Sequence, residues 1–127
     1  MATKVTELQF SSSNKVGALA NISTAFEKAK VNILNIWACG EGPTAYFGVV
    51  TNNNSKAKKI LKGLRLKVKE KDMLVLNLRH KVGSLARVAR KLAKAKINIT
   101  CLAATTSGNR AAVLVDTNQN KKAARIV

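Results

Sequence analysis

Along the first half of the chain, apolar and polar residues change rhythm in a fixed order. Val5 to Phe10 is short and rich in strand-favouring residues, and it reads as a first strand. After Gly17, the residues Leu19, Ile22, Phe26 and Ala29 recur at helical spacing, which predicts an amphipathic helix. Val31 to Cys39 and Ala45 to Thr51 read as two strands around Gly40-Glu41-Gly42-Pro43, a predicted hairpin with a loop of about five residues. The polar run Asn52-Asn53-Asn54-Ser55 then supplies a helix N-cap, and Ala57, Ile60, Leu61 and Leu64 form a second helical stripe. Leu66 to Lys69 reads as a closing edge strand.

The second half repeats this order. Asn14 to Ile60 overlays His80 to Ile126 at an offset of 66 residues without a gap, and 20 of the 47 aligned pairs are identical. In the echo, Met73 to Arg79 is the first strand, with Leu74, Leu76 and Leu78 alternating toward one face. Leu85, Val88, Leu92 and Ala95 carry the helical stripe, and Ile97 to Thr105 with Arg110 to Asp116 form the hairpin around Ser107-Gly108-Asn109. A long period occurring only twice implies two small domains, because a solenoid needs about three or more units to bury its core. The expected class is therefore α+β: two tandem ferredoxin-like β-α-β-β-α-β domains over residues 1–71 and 72–127, each an antiparallel sheet with both helices on one face. The second copy lacks its last strand, since Ile126 matches Ile60 and only Val127 follows. Either the chain is cut short or another element covers the exposed edge, which would otherwise invite association.

Composition narrows the reading. An apolar content of 46% suffices for ordinary cores. Domains of roughly 60 residues bury only about 60% of their unfolded surface, so pairing between copies or chains is expected. No window approaches the roughly 18 apolar residues of a membrane span, and the N-terminus lacks a signal-peptide stretch, so a cytoplasmic protein without membrane contact is expected. Cys39 and Cys101 are expected as buried or half-buried free thiols, because no Cys or His stands at ligand spacing. Twenty-three basic residues against 6 acidic ones give a net charge of +17. Such a field attracts polyanions non-specifically, although a lysine-rich solvated surface explains it as well. The basic run Arg87, Arg90, Lys91, Lys94 and Lys96 follows the polar side of the second copy's first helix and reads as a solvated face. Trp37 and Cys39 share a strand face with Ile33 and Asn35, expected to pack in the core or between sheets.

Two recurring motifs carry a resemblance. Asn14-Lys15-Val16-Gly17-Ala18-Leu19 and His80-Lys81-Val82-Gly83-Ser84-Leu85 occupy the first strand-to-helix turn, while Lys30-Val31-Asn32-Ile33 and Lys96-Ile97-Asn98-Ile99 enter the second strand. Both resemble the ACT domain, a small-molecule sensing module that usually works in pairs, with Asp-x-Pro-Gly-x-Leu and Gly-x-Asn-Ile at these places. The usual Pro is Val16 and Val82, and the usual Gly before the Asn is Lys30 and Lys96. A Lys where the chain turns left-handed would cost on the order of 1 kcal/mol.

The resemblance implies that an amino acid is bound at an interface between ACT domains by Asn14, Gly17, Ala18, Leu19, Asn32 and Ile33, and by His80, Gly83, Ser84, Leu85, Asn98 and Ile99. Chemistry suits the assignment. A helix N-terminus offers N–H groups and positive potential to a carboxylate, and an Asn amide can donate to a carboxylate or accept from an ammonium. The same glycines also serve a tight turn, the same asparagines a helix-to-strand connection, and His80 an exposed turn. Neither paired carboxylates nor a Cys, His and Asp constellation is apparent, so no enzyme, cofactor or metal is expected. The expected function is a regulatory module for an amino-acid-like effector, working as a homodimer through sheet or helix pairing. The alternatives are a nucleic-acid binder using its basic surface, and a ligand-free structural or redesigned scaffold. Tyr46-Phe47-Gly48-Val49 faintly matches the aromatic pattern of RNA-recognition sheets, and Ala112-Val113-Leu114-Val115 does not.

Overall fold

A computed structural model describes residues 2–127 of the chain. The elements run β1 (Ala2–Ser13), α1 (Ala18–Lys28), β2 (Ile33–Glu41), β3 (Thr44–Thr51), α2 (Asn54–Gly63), β4 (Lys69–Arg79), α3 (Ser84–Lys94), β5 (Ile99–Ser107), β6 (Arg110–Thr117) and α4 (Asn120–Ile126). They divide into two compact units: Thr6–Lys71, here the first unit, and residues 2–5 with Asp72–Val127, the second.

In the first unit the strand order is β2-β3-β1, each pair antiparallel. Phe10 stands opposite Phe47, and their rings stack with centroids 5.0 Å apart. Alternation puts Leu8, Phe10, Phe47 and Val49 on the face that meets the helices, where Ile22 and Phe26 of α1 and Ala57 and Leu61 of α2 complete the core. Each large side chain buried here contributes about 1.5–3 kcal/mol against leaving it in water. Asn53 caps α2 by accepting from the Lys56 N–H at 3.2 Å, as the polar run predicts. Leu66 and Val68 pack against this core, but the closing strand begins only at Lys69 and continues without a break as β4.

The second unit repeats the order as β4-β6-β5, around Leu74, Leu76, Val88, Leu92, Val113 and Val115. No strand follows α4 among the described residues. The neighbouring place beside β4 is taken by the start of β1, whose residues 2–5 group with this unit. Ala2 packs against its core, and Lys4 pairs with Asp72 at 3.4 Å. An edge that the sequence leaves open is thus filled from the far end of the chain, where no local pattern could reveal it.

Several expectations need correction. The hairpins are tighter than expected: Glu41 pairs with Thr44 and Ser107 with Arg110, leaving two-residue turns. The stripes of α1 and α3 begin one turn late, because Leu19 and Leu85 are 48% and 44% exposed while Ile22, Phe26, Val88 and Leu92 are buried. Leu64 is also exposed, at the C-cap of α2. A register shift between Ile33 and Asn35 turns the strand over. Ile33 therefore packs into the core while Trp37 lies on the opposite face of the sheet, and the two do not share a face. The same shift recurs between Ile99 and Cys101. Cys39 and Cys101 are free but exposed, because β2 and β5 are the outer strands of their units.

Candidate functional site

The turns that open α1 and α3 have nearly the same backbone. Gly17 has φ 90° and ψ 0°, and Gly83 has φ 87° and ψ −2°. This left-handed region disfavours any side chain, which explains glycine at both places. Each turn closes with one bond, from the Ala18 N–H to the Lys15 carbonyl at 3.2 Å and from the Ser84 N–H to the Lys81 carbonyl at 3.1 Å. Neither helix has a side-chain cap or an acidic residue in its first turn. A Cβ placed on either glycine would meet nothing within 4 Å. The helix N-termini are thus open to an anion, and their N–H groups and dipole favour one. Val16 and Val82, standing before the glycines, are fully exposed in both units.

In the first unit this turn borders a cleft of about 350 Å³ lined by Asn14, Lys15, Gly17, Ala18, Leu19 and residues of the β2–β3 hairpin. Four of the residues expected in the site are therefore brought together. Asn14 donates from Nδ2 to the Gly42 carbonyl at 3.0 Å, and its backbone N–H donates to the Pro43 carbonyl at 2.9 Å. Its amide lies over Gly40, where a Cβ would come within 2.7 Å of it. This orientation leaves Oδ1 as an acceptor, suited to an ammonium, while Lys15 adds a positive charge at the rim. Sequence reasoning did not single out Gly40 for this site, although its glycine faces Thr106 in the alignment of the copies.

The second unit places its residues differently. The His80 N–H donates to the Asn109 carbonyl at 2.8 Å, which anchors the turn as Asn14 does through Pro43. Ser84 is half-buried and its hydroxyl donates to the Arg79 carbonyl at 2.6 Å, so that group is committed to the fold.

Asn32 and Asn98 are not part of either opening turn. Asn32 precedes β2, and Gly40 stands near that strand's other end, seven residues after Ile33, a span of roughly 20 Å at 3.3 Å per residue. Within one unit, Asn14 and Asn32 are held at opposite ends of the sheet. The backbone of Asn32 is fixed by Asn52, whose Oδ1 accepts its N–H at 2.9 Å and whose N–H donates to its carbonyl at 3.1 Å. Asn98 and Asn118 repeat both bonds, at 3.0 and 3.1 Å. Both side chains at 32 and 98 are exposed, whereas Ile33 and Ile99 pack against the cores. Lys30 and Lys96, at φ 58° and 60°, occupy the left-handed positions that the resemblance assigns to glycine.

A second echo supports these connections. Asn54 Oδ1 accepts from the N–H and hydroxyl of Thr51 at 3.2 and 2.7 Å, and its Nδ2 donates to the Thr6 carbonyl at 2.8 Å. Asn120 makes the same three bonds, to Thr117 at 2.8 Å twice and to the Asp72 carbonyl at 3.0 Å. The recurrence of Thr-Asn-x-Asn at 51–54 and 117–120 was the signal for it.

Among the described residues no group of three or more His, Cys, Asp or Glu could hold a metal ion. Nor, among the described residues, is any helix long and apolar enough to cross a membrane.

Comparison with solved structures places the fold. Protein BT0572 from Bacteroides thetaiotaomicron superposes with a TM-score of 0.92 at 20% identity, covering 98% of this chain and 87% of that one. The regulatory subunit of aspartate kinase from Thermus thermophilus, in a ligand-free form, gives 0.69 at 14% identity, covering 98% and 93%. Its counterpart from Thermus flavus gives 0.65 at 16%, again covering 98% and 93%. No curated protein matches the sequence. Left-handed glycine turns, entering asparagines and the strand and helix order recur in both units, and the family model for an ACT domain pair matches residues 3–127. The chain therefore belongs to the ACT domain pair family.

Proposed function

We propose that this chain is a cytoplasmic, non-catalytic regulatory module that binds an amino acid or a similar zwitterion and signals through the way its ACT domains associate. The observation that carries the reading is the opening turn of α1: an uncapped helix N-terminus at a left-handed glycine, bordering a cleft that Asn14 and Lys15 also line. The effector's carboxylate would sit on the first-turn N–H groups beside Gly17, with Ala18 and Leu19 against its side chain. Asn14 Oδ1 would accept from its ammonium. The turn at Gly83, with His80, Ser84 and Leu85, would form the related site of the second unit.

Asn32 and Asn98 would act from a facing ACT domain in a homodimer, since within a unit each strand holds them away from the opening turn. Closure by a second domain would also cover Val16, Val82, Leu19 and Leu85, whose exposure is otherwise unfavourable. A ligand shared between domains shifts the equilibrium toward whichever packing binds it better, and that differential affinity is the signal.

The test is thermal shift and calorimetry with each of the twenty amino acids at moderate salt. At a concentration a hundred times its Kd, the effector should stabilise the protein by about 2.7 kcal/mol. Asn32→Ala or Asn98→Ala should abolish most of that gain. A panel in which no amino acid shifts the melting temperature would sink the reading.

A further inference from the structure

The first unit has another concave surface that the effector site does not use. It lies on the sheet face opposite the helices, a cleft of about 310 Å³ bordered by Gln9, Ser11, Trp37, Tyr46, Lys67 and Lys69. Tyr46 is 46% exposed, and both lysines are exposed. Tyr46 pairs with Cys39 and Trp37 with Gly48, so the two aromatics are diagonal neighbours across β2 and β3.

Trp37 is held in place. Its ring occupies the space above Gly48, where a Cβ would collide with Nε1. That nitrogen donates to Glu7 Oε2 at 3.2 Å, and Gln9 Nε2 donates to Glu7 Oε1 at 2.9 Å. Glu7 is completely buried, so the carboxylate is spent in orienting the indole rather than in facing solvent. A rigid aromatic loses little freedom when something stacks on it. Core packing does not require the arrangement. The second unit has Ala103, Ala112 and Leu114 at the positions equivalent to Trp37, Tyr46 and Gly48, and it folds in the same way.

We infer that this face binds single-stranded nucleic acid, with unpaired bases stacking on Tyr46 and Trp37 and backbone phosphates taken by Lys67 and Lys69. An aromatic pair on an open sheet flanked by cations suits a polyanion with flat apolar faces, and the net charge of +17 supplies the long-range attraction. Duplexes keep their bases stacked internally and offer this surface only phosphates.

Trp37 is the only tryptophan, so its emission reports directly on the site. The full chain is titrated with ten-residue oligo(dT) and oligo(U) at several salt concentrations. Saturable quenching of Trp37 is expected. Tyr46→Ala should weaken binding about ten-fold or more without altering the salt dependence, and Tyr46→Phe should retain it. Lys67→Ala combined with Lys69→Ala should lower the slope of log K against log salt by about 1.4, two phosphates at about 0.7 each. Lys121→Ala combined with Lys122→Ala removes equal charge from α4 and should have a smaller effect. Unchanged Trp37 emission, equal affinity for duplex DNA, or an intact affinity in Tyr46→Ala would each overturn the inference. Effector-induced thermal shifts should survive Tyr46→Ala, which separates failure here from failure of the amino-acid reading.

Discussion

The turn that opens α1 and the turn that opens α3 share a backbone to within a few degrees, yet their surroundings differ. In the first unit Asn14 lies over Gly40 beside a cleft, whereas the second has His80 and Thr106 at those places. The sheet face tells the same story, with Glu7, Trp37 and Gly48 set against Met73, Ala103 and Leu114. The bonds that tie helices to strands repeat almost bond for bond: Asn52 with Asn118, and Asn54 with Asn120. Folding constrains the turn and the asparagine network in both copies. Side chains around the openings are not so constrained, and there the copies have diverged toward a more elaborate first unit.

The largest test of that shared framework removes it. Asn54→Ala deletes three hydrogen bonds, so a loss of about 3 kcal/mol in urea unfolding is expected. Asn120→Ala should cost at least as much, because Asn120 Nδ2 also donates to the buried Asp116 at 2.9 Å. Effects differing by several-fold in the opposite order would break the equivalence of the two networks.

A smaller effect separates the units. Gly48→Ala should cost about 1–3 kcal/mol, because the new methyl displaces the Trp37 ring and weakens its bond to Glu7. Its signature is a red shift of Trp37 emission as the indole becomes wetter. Leu114→Ala at the equivalent position should instead act as an ordinary cavity, with no spectral change.

The smallest effect tests what both units have in common. Lys30→Gly and Lys96→Gly should each stabilise the protein by about 0.5–1 kcal/mol, since glycine relieves the left-handed strain at φ 58° and 60°. Equal gains are expected in urea unfolding. Destabilisation by either would mean that the lysine side chain makes a contribution larger than its strain.

Much of the fold was legible in the sequence because it rests on local periodicity and on the repeat. Ile22 and Phe26, echoed by Val88 and Leu92, mark the buried helix faces, and the hairpins fall where glycine meets polar residues. Three features were not legible. Residues 2–5 fill the second unit's open edge through a pairing some 70 positions long, which no window contains. The bulge at 33–35 inverts the strand, so alternation counted through it assigns Trp37 to the wrong face. Leu19 and Leu85 satisfy the helical stripe but stay exposed, so the buried stripe starts one turn later. Of the candidate site, the opening turn was readable from its glycine and its neighbours, which the fold gathers at one cleft. The distance between Asn14 and Asn32 was not, because it depends on the direction of β2 rather than on any motif.

The most direct test of the central claim is calorimetric titration of Gly17→Ala and Gly83→Ala with the amino acid that most stabilises the wild-type chain. A methyl at either glycine meets no protein atom within 4 Å, so beyond a backbone strain of about 1 kcal/mol its effect falls on the ligand. The account predicts at least a ten-fold weaker Kd for Gly17→Ala, and a smaller loss for Gly83→Ala. Wild-type affinity in Gly17→Ala would contradict it, because the effector could not then be resting on the N-terminus of α1.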